Sequence, residues 1–178
     1  PSSNARFGTT ALAQGRLLLD SDLAREVRRV VVFGHPTLSR PVNRLIGRPD
    51  IELIVVSPQG AWADPGWRAS LIAPSVSLPP GDDVWLARWR AADAAAGERV
   101  AGVLAKARAE GLHGWDVAAA VWAAASGRPL VVGASQIIRD LDLVAVAPVP
   151  PVTYANRGLA GIDGTVATAV GVALATGE

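Results

Sequence analysis

The sequence contains no cysteine and no methionine among its 178 residues. Without cysteine, the chain has no disulfide scaffold, no thiolate zinc or iron–sulfur ligation and no cysteine nucleophile. Because a newly translated protein starts with methionine and this chain begins at Pro1, we expect it to be a piece of a longer protein. At this length we expect one compact domain, or one domain with part of another, and a sizeable buried core.

Excess charge and long apolar runs are also lacking. Lys and Arg number 17 against 16 Asp and Glu, so nucleic acid is not indicated as the main partner. No apolar run reaches the roughly 18 to 20 residues that cross a bilayer, so no membrane span is expected. Lys106 is the one lysine, and arginine is the better side chain for bidentate recognition of carboxylate or phosphate.

The first part of the chain alternates apolar strands with a helix. Val30–Phe33 reads as a buried strand that ends in a tight turn, and Ile51–Val56 reads as a second strand. Between them, Ser39 is placed to cap a helix that Gly47 ends. Apolar character that is continuous rather than alternating predicts a parallel sheet covered on both faces. A third short strand is predicted at 70–73.

A Pro- and Gly-rich stretch over 75–83 separates this part from a second α/β region. The elements predicted there are helices over 84–110, 115–125, 137–144 and 165–175 and strands over 130–132 and 153–155. Trp85 and Trp89 lie four apart and should share one helix face, where a role in the core is favoured over a ligand platform. Asp163 is the predicted N-cap of the last helix. The predicted fold class is therefore α/β with parallel sheets.

Glycines and arginines cluster where the last two predicted strands end. Gly158, Gly161 and Gly164 precede the last helix, where glycine lets the backbone approach a ligand and a helix N-terminus favours an anion. Arg139 follows one strand and Arg157 follows the next, so both are expected to face one crevice. Two arginines at one cleft indicate a ligand with more than one carboxylate. The alternative is that both arginines pair with neighbouring surface aspartates.

Few other groups are candidates for chemistry. The two histidines, His35 and His113, are too few for a zinc site without cysteine. His35 stands at the carboxyl end of a predicted strand, where α/β proteins bind ligands, although a turn histidine is the simpler reading. The nucleophile elbow of serine hydrolases, the P-loop and the dinucleotide-binding Gly-x-Gly-x-x-Gly pattern do not occur.

The stretch Asn156–Gly164, Asn-Arg-Gly-Leu-Ala-Gly-Ile-Asp-Gly, resembles the signature of the thiamine-diphosphate-dependent 2-succinyl-5-enolpyruvyl-6-hydroxy-3-cyclohexene-1-carboxylate (SEPHCHC) synthases, the MenD enzymes of menaquinone biosynthesis. Its spacing from Gly133-Ala-Ser-x-x-x-Arg139 also fits. The segment Gly34-His-Pro-Thr-Leu-x-Arg-Pro and the opening Pro-Ser-Ser-Asn-Ala-Arg look like actinobacterial members. The resemblance covers most of the chain and is loose over 61–127.

The resemblance implies a division of the chain between two domains of a three-domain subunit. Residues 1–75 would be a central Rossmann-like domain without its first strand, 76–83 a linker, and 84–178 the beginning of a diphosphate-binding α/β domain. Members bind thiamine diphosphate with Mg or Mn, decarboxylate 2-oxoglutarate and add the succinyl carbanion equivalent to isochorismate. The metal and diphosphate ligands are expected outside this chain, which alone should be inactive. The parent protein is expected to be a cytoplasmic homo-oligomer, either a dimer or a tetramer.

The same resemblance assigns residues to the site. Ser135, Arg139 and Arg157 would line the substrate pocket, with the two arginines holding carboxylates. The carbonyl of Ala160 would accept a hydrogen bond from the aminopyrimidine, and Ile162 would wedge the cofactor into its bent shape. No catalytic residue and no metal ligand is expected within the chain.

Two alternatives stay open. Another thiamine-diphosphate enzyme, of the acetohydroxyacid-synthase type, would act on a monocarboxylate and would not need two arginines. From a different class, the first 73 residues could be a regulatory Rossmann-like module that binds a nucleotide or another effector. His35 and Arg40, near one predicted strand end, are then the candidate effector site.

Overall fold

The computed structural model describes residues 8–34, 39–58, 62, 64, 66–145, 149–156 and 162–177. These residues form two compact units, one of residues 14–98 and one of residues 99–177 with 8–13. Every strand pair in the described residues is parallel, which confirms the predicted α/β class. None of the described helices combines the length and the apolar character needed to span a membrane. The functional domain boundary at 76–83 stays a prediction.

The first unit is built on a three-stranded parallel sheet with strand order β1-β2-β3. Its elements are α1 (Gly15–Leu18), α2 (Asp22–Arg25), β1 (Arg29–Phe33), α3 (Arg40–Ile46), β2 (Glu52–Val56), β3 (Leu71–Ala73) and the first part of α4 (Asp83–Arg108). The three strands and α3 lie where the apolar pattern predicts them. The two short helices α1 and α2 carry no comparable pattern and were not predicted.

The central strand β2 explains why its sequence is continuously apolar. Successive side chains of a strand point to opposite faces, and all four from Leu53 to Val56 are buried, so both faces of β2 are covered. On one face Leu53 and Val55 pack with Ile46 of α3. The flanking strands are less protected, and Phe33 at the end of β1 is exposed.

The first part of α4 forms a bidentate ion pair with its unit and carries an aromatic pair on one face. Arg88 donates hydrogen bonds of 2.8 and 2.7 Å to the two carboxylate oxygens of Glu26, a bidentate arrangement. The bonded guanidinium lowers the pKa of Glu26. The rings of Trp85 and Trp89 meet edge to face with centroids 5.6 Å apart, which confirms that they share a helix face. Trp89 is buried, as expected of a core residue.

The second unit contains a two-stranded parallel sheet of β4 and β5. Its elements are the last part of α4, α5 (Gly114–Ala124), β4 (Pro129–Val132), α6 (Gln136–Val144), β5 (Val152–Ala155) and α7 (Ile162–Thr176). All were predicted, with boundaries within a few residues. Helices α5 and α6 pack on each other and on β4 through the buried side chains of Ala118, Trp122, Val132, Leu141 and Ala145.

The start of α5 is stabilised by one carboxylate with two partners. Asp116 accepts a 3.1 Å hydrogen bond from the backbone N–H of His113, which is half of a capping box. The guanidinium of Arg108, in the last turn of α4, also donates to Asp116. The hydrogen bond from Arg108, followed by the backbone bond from His113, lowers the pKa of Asp116.

One predicted helix cap is misplaced, and another has the predicted position without the expected hydrogen bond. Asp163 lies inside the first turn of α7, because the helix begins at Ile162, so Asp163 is not the N-cap. Its carboxylate is still favoured there by the partial positive charge of the helix N-terminus. Ser39 does occupy the N-cap position of α3, but its hydroxyl makes no capping hydrogen bond.

Candidate functional site

The candidate site lies where the two strands of the second unit end. Strands β4 and β5 run in parallel and in register, with Val132 opposite Ala155 at their carboxyl ends. The chain leaves β4 through Gly133 and enters α6, and it leaves β5 through Asn156 toward α7. The N-terminal turns of α6 and α7 therefore follow adjacent strand ends, which is the usual place for ligand sites in open α/β sheets.

Ser135 occupies the N-cap position of α6 with an extended backbone, φ −130° and ψ −158°. An N-cap serine usually bonds to an N–H of the first turn, but the hydroxyl of Ser135 makes no such bond. Its side chain is exposed. The hydroxyl is therefore available to a ligand at the end of β4, as the substrate-site prediction requires.

Arg139 lies one turn further along α6 and is exposed. Its guanidinium donates a hydrogen bond of 3.3 Å to the side-chain oxygen of Gln136, whose amide nitrogen donates to Asp140 at 3.1 Å. Among the described residues Arg139 forms no ion pair, so the alternative that it is neutralised by a neighbouring aspartate does not hold there. Its charge is free to bind an external carboxylate.

Ile162 is the first residue of α7, and 89% of its surface is exposed. The described part of the protein does not bury this large apolar side chain, so it contributes no stability through burial there. This arrangement suits the wedge that the family resemblance implies, although the role itself stays a prediction.

The end of β4 also lies against α7. A Cβ atom built on Gly133 would lie 3.7 Å from the hydroxyl oxygen of Thr165, which is an ordinary contact distance. The first turns of α7 are therefore adjacent to the segment that leads from β4 to Ser135. Residues of both helices can in this way contribute to one site.

Asn156 and Thr168 form a polar bridge that the sequence analysis did not identify. The amide nitrogen Nδ2 of Asn156 donates to the carbonyl oxygen of Gly164 at 3.1 Å and to the Thr168 hydroxyl at 2.8 Å. The Thr168 hydroxyl in turn donates to the Gly164 carbonyl at 2.7 Å. One sequence signal was available: Thr168 follows Gly164 by four residues, the spacing at which a helical threonine bonds back to a carbonyl.

Several predicted site residues lie outside the described part of the chain: Arg157, Ala160 and His35. Arg40 is described and is the exposed first residue of α3. The proposed effector site of His35 and Arg40 and the pairing of Arg157 with Arg139 stay predictions. Among the residues that the structure describes, no group of three His, Asp or Glu side chains is arranged to hold a metal ion.

Comparison with known proteins adds a sequence relationship to this geometry. The chain is 52% identical to the SEPHCHC synthase of Kineococcus radiotolerans, with 99% of this chain and 33% of that protein aligned. It is 47% identical to the enzyme of the same name from Nocardioides sp., over 98% of this chain and 35% of the relative. For the SEPHCHC synthase of Arthrobacter sp. the identity is 44%, over 97% of this chain and 30% of that protein. The chain thus spans about a third of the length of the curated relatives it matches. No protein-family model matches it.

Proposed function

The chain, which spans about a third of the length of its curated relatives, belongs to the SEPHCHC synthase family, and from that premise we propose the reaction of the complete protein that carries it. That protein decarboxylates 2-oxoglutarate with thiamine diphosphate and adds the remaining succinyl unit to isochorismate, yielding SEPHCHC. The observation that carries this proposal is the arrangement on α6, where Arg139 bonds to Gln136 but forms no ion pair among the described residues, and where the N-cap Ser135 makes no capping hydrogen bond with its hydroxyl.

The donors at the end of β4 suit a carboxylate ligand. A guanidinium presents two parallel N–H groups to a carboxylate, and a serine hydroxyl supplies a further donor. 2-Oxoglutarate and isochorismate each carry two carboxylates, so more than one cation is needed to hold them. Arg139 is one such cation, and Arg157 is proposed as the second on the strength of the family resemblance.

The start of α7 suits the thiamine cofactor. Ile162 presents an exposed apolar side chain at the first turn of α7, which fits contact with a heterocyclic ring. When bound, thiamine diphosphate would supply a cationic thiazolium ring that delocalises the electron pair released on decarboxylation. The contribution of Ile162 is to fix the orientation of that cofactor, and Ala160 is proposed to accept a hydrogen bond from its aminopyrimidine.

By the family resemblance, the diphosphate and its Mg or Mn ion are proposed to be held by residues of the complete protein outside this chain. The complete protein is proposed to be a cytoplasmic homo-oligomer. The chain alone is expected to have no synthase activity, because the residues that hold the metal ion and the diphosphate are proposed to lie outside it. A turnover assay on the isolated chain tests that expectation.

The reaction is tested on the complete protein with 2-oxoglutarate, isochorismate, thiamine diphosphate and Mg²⁺, with product detected by mass spectrometry. We expect SEPHCHC and CO₂ in equal amounts. A parallel assay replaces 2-oxoglutarate by pyruvate, which has one carboxylate and is the substrate type of the acetohydroxyacid synthases. Turnover of pyruvate with no turnover of 2-oxoglutarate would replace the proposal with that alternative.

A further inference from the structure

Asn156 ties the end of β5 to the first turns of α7. It is the first residue after β5, and its side chain reaches across to Gly164 and Thr168 inside the helix. The Asn156 bridge, defined as the three hydrogen bonds among these residues, thus spans the segment from 157 to 163. That segment includes the signature residues between strand and helix.

The donors and acceptors of the bridge match one another. The Gly164 carbonyl can only accept, so the Asn156 side chain must face it with the nitrogen rather than the oxygen. The Thr168 hydroxyl gives its proton to the Gly164 carbonyl and keeps lone pairs for the second N–H of Asn156. Both amide hydrogens and the hydroxyl hydrogen of this half-buried group are therefore used.

The start of α7 is only lightly packed. Thr165 lies close to Gly133 at the end of β4, but none of the described residues of this helix is buried. The side chain of Ile162 is almost fully exposed and is placed only by the backbone of that turn. Any displacement of the first turn is therefore passed directly to Ile162.

We propose that Asn156 and Thr168 are positioning residues of the active site: they hold the first turn of α7 so that Ile162 contacts the cofactor at the correct place. The inference rests on the proposed function. Neither residue touches the reacting atoms. Their effect comes through the position of Ile162, and small misplacements of groups that orient a reactant are costly in rate.

The bridge is tested in the complete protein with Thr168→Val, which keeps the side-chain shape and removes the hydroxyl. We expect kcat to fall about five- to tenfold and the dissociation constant of thiamine diphosphate to rise by a similar factor, the size associated with losing one hydrogen bond. The cofactor dissociation constant is measured on the apo-protein by tryptophan fluorescence and so does not depend on turnover.

The matched control is Thr176→Val. The Thr176 hydroxyl makes the same kind of bond, to the carbonyl of Val172 at 2.9 Å, but at the far end of the same helix. The control should leave kcat and cofactor affinity unchanged. Thr168→Ser keeps the hydroxyl and should return both quantities to within about twofold of the wild type.

Asn156→Asp removes both N–H donors without changing the side-chain shape. In the double variant with Thr168→Val, kcat and cofactor affinity should fall little further than in either single variant, because the two residues act as a unit. If Asn156→Asp does not fold, the variants Thr168→Val and Thr168→Ser, compared with Thr176→Val, test the positioning role by themselves.

The outcomes separate the two proposals. A wild-type protein that turns over neither substrate overturns the proposed function, and the positioning role with it. An active wild type in which Thr168→Val equals Thr176→Val in kcat and cofactor affinity overturns the positioning role alone. A lower melting temperature for Thr168→Val with unchanged kinetics would also overturn the positioning role, because the bridge would then only stabilise the fold.

Discussion

Val132 and Ala155 lie directly opposite each other as the last residues of two parallel neighbouring strands. Because of this pairing, the segment that leads to Ser135 and the segment that leads to Ile162 leave the same edge of the sheet. Groups that are far apart in the sequence are thereby brought to adjacent strand ends. The predictions on Arg139 and Ile162 depend on this relationship.

Replacing Arg139 by alanine should raise the KM for 2-oxoglutarate or isochorismate in the complete protein. Loss of a charged hydrogen-bonding partner costs about 2 kcal/mol or more, which is roughly a thirtyfold change in kcat/KM. The affinity for thiamine diphosphate should stay nearly unchanged. Steady-state kinetics and fluorescence titration measure the two quantities.

The control for Arg139→Ala is Arg99→Ala, which removes an exposed arginine of α4 and should leave kinetics at wild-type values. Arg157→Ala is expected to behave like Arg139→Ala. Wild-type kinetics in both Arg139→Ala and Arg157→Ala would rule out the binding of substrate carboxylates by these arginines.

Ile162→Ala should weaken cofactor binding without destabilising the fold. The side chain is 89% exposed, so its removal leaves no cavity in the described structure. If it packs on the cofactor, truncation should cost about 1 to 2 kcal/mol of binding free energy, a factor of roughly five to thirty in the dissociation constant. Val170→Ala, two turns along the same helix, is the matched control. Equal dissociation constants for the two variants would contradict the wedge role.

Alanine substitutions at two glycines should change the free energy of unfolding in opposite directions. Gly127 has φ +71°, a left-handed conformation that costs other residues about 1 to 2 kcal/mol, so Gly127→Ala should lower the free energy of unfolding. Gly102 lies inside α4 with open space around it, so Gly102→Ala should raise that free energy by about 0.5 to 1 kcal/mol. Urea denaturation measures both changes. A shift of the same sign in the two variants would contradict the backbone conformations described here.

Asp116 should contribute to stability in a pH-dependent way. Its pKa is lowered in the folded protein, so its contribution is complete above the unfolded value of about 4 and is lost as pH falls through the folded pKa. Asp116→Asn should therefore be less stable than the wild type near neutral pH, and the difference should shrink below about pH 4. Urea midpoints measured from about pH 7 to about pH 3 test this.

Arg108→Gln removes the largest cause of the lowered pKa of Asp116 and should also flatten the pH dependence. Lys106→Gln, in the same last turn of α4, is the control and should keep the wild-type slope. If the urea midpoint of Arg108→Gln depends on pH as steeply as that of the wild type, the ion pair with Arg108 is not the cause of the pH dependence.

The α/β class, the strands and the long helices were predictable because their patterns are local. Residues 53–56 are continuously apolar because both faces of β2 are covered, and Trp85 and Trp89 meet because they are four apart on a helix. Helix caps were less predictable. Ser39 and Asp163 are typical capping residues, but whether a side chain bonds at a helix start depends on one turn of backbone geometry.

The sequence by itself determined the order of the strands and of the helices after α2, the parallel α/β class and the resemblance to a synthase family, since each depends on residues that are neighbours in the chain. Only the tertiary structure decided that Arg139 bonds to Gln136 and forms no ion pair among the described residues. It also decided that Val132 and Ala155 end side by side and that Asn156 bridges to Thr168. The strand pairing and the Asn156–Thr168 bond join separate segments of the chain, so packing sets them and no local pattern of residue types contains them.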